Sequence, residues 1–137
     1  MEHRDGFFKH QLVSFSYAIE GIIYSYRKGT HFKIHIIAAV IVTILGLIYS
    51  ISAFEWLVII LISSAVIAAE AINTAIEETC DVLYSEHHSG ARLARPPASS
   101  LAGEIGRAKH CAAGGVLILS IAAVIIGTII FLPKIIL

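Results

Sequence analysis

Glu70, Asn73, Glu77 and Asp81 are the residues of this chain best placed to do chemistry. Counted from Glu70, the others follow at three, seven and eleven residues, spacings that stack side chains on one face of an α-helix. The stretch leading into them, residues 57–69, is apolar apart from Ser63 and Ser64 and reads as a helix crossing a membrane. A charged side chain at bilayer depth costs about 2.5–3.5 kcal/mol on insertion scales, so an intramembrane Glu is a functional candidate by default.

The stripe is graded in depth. With a rise of about 1.5 Å per residue, Glu70 lies roughly 20 Å along the helix from Leu57, and Asp81 roughly 16 Å beyond Glu70. Desolvation disfavours the charged form of a carboxylate, and a carboxyl group beside acyl chains suits proton acceptance from a hydroxyl buried at the same depth. Glu77, Glu78 and Asp81, nearer water, can stay ionised and hold a divalent cation through oxygen ligands. Asn73, one turn from both Glu70 and Glu77, can orient either carboxylate. A deep base with a shallower metal ligand would let one site serve a lipid alcohol and a water-soluble phosphate donor. Two other uses stay open: hydrogen bonding between helices of an oligomer, and transport of protons or cations. Transport would be favoured by acids in the outer half of the membrane; Glu55 falls in the external turn, and the other two spans hold no acids.

The elements that must position the stripe follow from hydropathy. The chain has 137 residues, 57% of them hydrophobic and only 15% charged. The expected fold class is all-α integral membrane, with transmembrane spans over 34–52, 56–76 and 111–132. Residues 1–30 carry Phe8, Leu12, Phe15, Ile19, Ile22 and Tyr26 at helical spacing and are expected to form an amphipathic surface helix, ended by Gly29. The short turn Ser50–Glu55 makes the first two spans an antiparallel hairpin, with Trp56 at an interface. Residues 84–107, rich in Ala, Ser, Gly and Arg and containing Pro96-Pro97, are expected to be a cytoplasmic loop. One membrane domain is expected, with no internal repeat.

Net formal charge is zero, which gives no reason to expect nucleic acid as a partner. Its distribution is informative: Arg4, Lys9, Arg27, Lys28 and Lys33 precede the first span, and Arg92, Arg95, Arg107 and Lys109 lie between the second and third. The positive-inside rule then puts the N-terminus in the cytoplasm and the C-terminus, with Lys134, outside. The first span is read as retained, since its polar leader is too long for a signal peptide and no small-residue cleavage site follows. Cys80 and Cys111 read as small packing residues. Small residues at four-residue spacing, such as Ala71 and Ala75 or Ala123 and Gly127, imply close helix approach and self-association. His31 and His35 stand one turn apart, close enough to share a metal, but interfacial histidines need no such role.

Glu86, His87 and His88 continue the acidic helix end and can contact phosphate or metal; Arg107 and Lys109 approach the same side and can neutralise phosphate oxygens or simply set topology. The sequence has neither GxxxxGK[ST] nor a GxGxxG that follows a strand, which excludes the usual soluble modes of nucleotide binding.

The run Glu70-Ala-Ile-Asn73-Thr-Ala-Ile-Glu77, followed by Asp81, resembles the signature of the small prokaryotic diacylglycerol kinase family. The likeness continues in Phe32-Lys-Ile-His35, Ser85-Glu86-His87-His88 and Arg107-Ala-Lys109, and in Phe15, Ala18 and Gly21. The ending Ile129-Ile-Phe-Leu-Pro-Lys134 is similar to the undecaprenol kinase branch. The resemblance implies a homotrimer of three-span subunits in the cell membrane that transfers the γ-phosphate of ATP, with magnesium, to a lipid alcohol. Undecaprenol is the substrate it implies first and diacylglycerol the alternative. It further implies Glu70 as proton acceptor and substrate contact, Glu77 as metal and nucleotide ligand, and Asn73 and Asp81 as polar partners. Tyr17, Glu86, His87, His88 and Lys109 would be nucleotide contacts. Two positions depart from the pattern: Gly29 stands where the family has a Glu that shares the metal, three residues before Phe32, and His110 stands where it has an Asp. The Ser89–Glu104 stretch is also longer than the family's connector. A catalytically weakened or non-enzymatic membrane homologue is the reading these departures leave open.

Overall fold

The computed structural model describes residues 2–87 and 101–136, and the elements among them are four α-helices. In chain order they are α1 (Glu2–Lys28), α2 (Thr30–Ile48), α3 (Ala53–His87) and α4 (Leu101–Ile136). Helices α2, α3 and α4 contain stretches long and apolar enough to cross a membrane: Thr30–Ile48, Ala53–Leu83 and Gly103–Ile136. At about 1.5 Å per residue, the 35 residues of α3 make a rod of roughly 50 Å, well beyond the ~30 Å hydrocarbon core. Its far end therefore leaves the hydrocarbon without breaking the helix.

The helices run past the expected spans. α3 continues to His87 and α4 starts at Leu101, so the connection expected over 84–107 is helical at both ends, and residues 88–100 lie outside the described residues. Local chemistry supports the early start of α4: Glu104 lies in its first turn, where the helix dipole favours an acid, and it pairs with Arg107 at 3.6 Å.

The α2–α3 hairpin is held by two cooperating caps. The Ile51 N–H donates to the Gly46 carbonyl at 3.2 Å and the Ser50 N–H to Leu47 at 3.4 Å, the paired bonds of a Schellman motif. Ser50 takes the left-handed conformation this requires, with φ 47°. Immediately afterwards Ser52 and Glu55 form a reciprocal capping box: the Ser52 N–H donates to Glu55 Oε2 at 2.7 Å, and the Glu55 N–H to Ser52 Oγ at 3.3 Å. Glu55 Oε1 also meets Lys134 Nζ at 3.1 Å, tying α4 to the same end. Around this end Ile51, Ile59, Ile130 and Phe131 form the buried apolar cluster, backed by Tyr49 and Trp56. Gly46 lets the indole close in: a Cβ there would stand 2.7 Å from Trp56 Cη2.

At the opposite end α1 joins α2 through Gly29. The Gly29 N–H still donates to the Ser25 carbonyl at 2.8 Å, but its ψ of 114° ends the helical run. Phe32, the first large apolar residue of α2, is fully buried just past the elbow. Leu12, Phe15, Ile19, Ile22 and Tyr26 of α1 are all exposed in the single chain.

Candidate functional site

Helix α3 supplies the axis of the site. Glu70 is 4% exposed and Asn73 6% exposed, both among the few buried polar residues of the chain. Thr74, also buried, donates its hydroxyl to the Glu70 backbone carbonyl at 3.0 Å, so it adds no partner to the Glu70 carboxylate. Asn73 Oδ1 is buried without a hydrogen-bond donor among the described residues. Such an oxygen costs free energy unless a ligand, an ion or another chain completes it.

Helix α2 brings two histidines near Glu70. His35 and His31, one turn apart, lie within Coulombic range of the Glu70 carboxylate. Neither was singled out as part of the site from the sequence, yet a signal exists. Residues equally distant from the turn of an antiparallel hairpin share a depth. Counting back from Ile51 by as many residues as Glu70 lies ahead reaches Phe32, between the two histidines.

Beyond Glu70 the stripe meets cations. Lys109 of α4 reaches Asp81 Oδ1 at 2.8 Å, bringing together two residues that the spacing argument placed on separate helices. Lys28 of α1 approaches Glu78 Oε1 at 3.3 Å, and the Tyr24 hydroxyl bonds the same carboxylate. The Glu78 carboxylate raises the pKa of Tyr24 through that hydrogen bond and raises that of Lys28 likewise. Of the candidate metal ligands, Glu78 and Asp81 are thus engaged by lysines. Half-buried Glu77 makes no hydrogen bond or ion pair among the described residues.

The remaining candidates are less closely drawn in. Tyr17 is 66% exposed on α1, two turns before Tyr24 on the same face, so it lies on the side of α1 that meets Glu78 but not against the stripe. Glu86 and His87 belong to the last turn of α3, and His88 lies outside the described residues. His110 is exposed beside Lys109. Gly29 faces Thr74: a Cβ there would stand 3.6 Å from Thr74 Oγ1, but also 2.9 Å from the Ser25 carbonyl oxygen and 3.2 Å from Phe32 Cβ. The elbow has closed around the absence of a side chain.

Among the described residues no three His, Cys, Asp or Glu side chains converge on a metal-sized position. Magnesium asks for less, since it is bound through one or two carboxylates together with substrate phosphates. The uncommitted Glu77 carboxylate, one turn from the donorless Asn73 oxygen, fits that requirement.

Known proteins resemble this chain over most of its length. The sequence profile described as "Prokaryotic diacylglycerol kinase" matches residues 16–103. The undecaprenol kinase of Bacillus subtilis (strain 168) is 36% identical over 121 residues, covering 88% of this chain and 87% of that protein. The diacylglycerol kinase of Synechocystis sp. is 34% identical over 123 residues, covering 89% of this chain and 62% of that longer protein. No solved structure matches. A buried Glu70, a polar Asn73 and an uncommitted Glu77 on one membrane helix thus stand in a chain that belongs to the prokaryotic diacylglycerol kinase family.

Proposed function

We propose that this protein transfers the γ-phosphate of ATP to the hydroxyl of a membrane lipid alcohol, undecaprenol in the first place and diacylglycerol as the alternative. The observation that carries the reading is the buried Glu70 carboxylate, about 26 Å along α3 from Ala53 and hence near the inner edge of the hydrocarbon. A group there can receive the proton of a lipid hydroxyl but is too deep to serve a soluble acceptor. The hydroxyl oxygen attacks the γ-phosphorus, the bond to the bridging oxygen of ADP breaks, and Glu70 takes the proton. His31 and His35 frame the carboxylate from α2. Glu77 would hold magnesium, which when bound would neutralise phosphate charge. Asn73 orients Glu70 or Glu77, and Lys109, now paired with Asp81, meets the phosphates from α4. Tyr17, Glu86, His87 and His88 complete the nucleotide side.

The functional unit is proposed as a homotrimer, with α1 lying amphipathically on the cytoplasmic surface, the N-terminus inside and the C-terminus outside. The donorless Asn73 oxygen and the lack of a three-ligand cage among the described residues support a site completed by more than one chain and by substrate. A second reading, a catalytically weakened or non-enzymatic relative, draws support from Gly29, which offers no ligand atom and little room for one.

A radiolabelled-ATP assay with magnesium and both alcohols, in lipid micelles, tests the proposal. Phosphorylation of at least one alcohol, abolished in Glu70→Gln, supports it. If neither alcohol is phosphorylated, or Glu70→Gln leaves the rate intact, the reading fails. A large gain from near zero in Gly29→Glu with His110→Asp would favour the weakened relative.

A further inference from the structure

Directly outward of Glu70 the three membrane helices do not close on one another. They leave a cavity of about 230 Å³, walled by His35, Ala39, Ser63, Val66, Ser120 and Gly127. This exceeds the ~150 Å³ of an apolar cavity known to admit benzene. The walls run from His35 to Val42 on α2, Ile59 to Val66 on α3 and Ser120 to Gly127 on α4, each eight residues, so the space extends about 10 Å along the bundle. Small side chains keep it open, and a Cβ built at Gly127 meets no atom within 4 Å.

Resting on the lipid-kinase reading for the identity of its occupant, we infer that this cavity is the seat of the hydrocarbon segment next to the hydroxyl of the lipid alcohol. Two observations select that occupant. The inner end of the cavity is made by His35, within Coulombic range of the Glu70 carboxylate, and by Val66, one turn before Glu70. A chain lying in it therefore brings its head to the base. The volume also favours a thin chain over a helix of a second copy: a helix is about 10–12 Å across, and a length of it matching this cavity needs several times the space. A hydrocarbon chain is thin enough, and the mainly apolar walls suit it.

The outer end of the cavity supplies a reporter. Val42 and Ile59 line it there, one turn from Gly46 and three residues from Trp56, the one tryptophan of the chain, whose ring rests on Gly46. A long-chain alcohol brominated along its chain, diluted into micelles of unbrominated detergent, should quench Trp56 saturably. Gly127→Leu and Ala39→Leu, which put side chains into the cavity, should abolish that quenching and raise the KM for the long-chain alcohol at least tenfold while the KM for ATP holds. Gly115→Leu, on an exposed part of α4 with open space around it, is the matched control and should change neither. Unaltered quenching in both filled variants overturns the inference. So does a change of assembly size in those variants with quenching intact, which would assign the cavity to a second copy. Saturable quenching without phosphorylation of either alcohol would sink the kinase reading and leave the cavity assignment standing; phosphorylation without quenching would do the reverse.

Discussion

Replacing Glu70 by Gln, Asp and Ala separates its chemistry from its place in the fold. Gln keeps the shape of the side chain but cannot take up a proton. A positioned general base contributes about 10²–10⁴-fold, so kcat should fall by that factor, equivalent to roughly 3–5 kcal/mol in the barrier. Asp keeps the carboxylate and withdraws it by one carbon–carbon bond, about 1.5 Å. Displacements near 1 Å can cost about 10²-fold, so Asp should fall by at least that factor, and Ala should match Gln or do worse. Stability should move the other way. The Thr74 bond goes to the backbone of residue 70 and survives every substitution, and an uncharged amide is easier to hold at bilayer depth than a carboxylate. Glu70→Gln should therefore melt no earlier than the parent. The KM for ATP should be unchanged, since Glu77 and Asp81 lie about 10 and 16 Å further along the helix. Initial rates in micelles over a range of ATP concentrations, with thermal unfolding followed by circular dichroism, give kcat, the KM for ATP and the melting point. Retention of more than a tenth of the parental kcat in Gln would refute the assignment. Loss of activity together with loss of the fold would make Glu70 a structural residue instead.

Other consequences can be measured in the same system. Lys109→Ala should raise the KM for ATP about 10–100-fold, the value of roughly 1.5–3 kcal/mol for a hydrogen bond to a charged group, with the KM for the lipid unchanged; an equal rise in both would contradict a phosphate role. Gly46→Ala should destabilise the hairpin by about 1–3 kcal/mol because its Cβ meets the Trp56 ring, and should become neutral or stabilising beside Trp56→Phe, a reversal that a double-mutant cycle in thermal unfolding would show or refute. The raised pKa values of Lys28 and Tyr24 mean that their contacts with Glu78 are intact below the ordinary lysine and tyrosine range and are lost as pH rises through the raised values. Spectrophotometric titration should then show a tyrosine component ionising above the ordinary tyrosine range, and Tyr24→Phe or Glu78→Gln should remove it.

Much of this site was legible because its strongest signals are local. The three apolar spans follow from hydropathy, and the Glu70, Asn73, Glu77 and Asp81 face follows from helical spacing alone. Burial of Glu70 and Asn73 agrees with that reading. The caps of the hairpin were local too: Ser52-Ala-Phe-Glu55 is a capping-box pattern in plain view, although it lies in a turn that hydropathy merely delimits. What the sequence did not disclose depends on which helix faces which. The Lys28 and Tyr24 contacts with Glu78 cross from α1 to α3, and Lys109 with Asp81 crosses from α4 to α3. No periodicity within one segment specifies such pairs. Helix ends near residues 87 and 101 escaped for a different reason, since polar, alanine-rich sequence outside the hydrocarbon has no hydropathy edge to mark where the helix stops.

The unbroken run of α3 from Ala53 to His87 places Glu70, the proposed base, and Glu77, the proposed magnesium ligand, on one stiff member. Their separation is therefore set by helical rise alone and cannot be retuned by a hinge between them. One residue inserted or deleted between Glu70 and Glu77 would turn everything beyond it by about 100° and take Glu77 off the shared face. Change of length in this protein is tolerable where helices end, and α3 confines it to the connections at its two tips. Depth in the membrane and reach of the stripe beyond it are thereby one adjustable quantity, the tilt and height of a single rod.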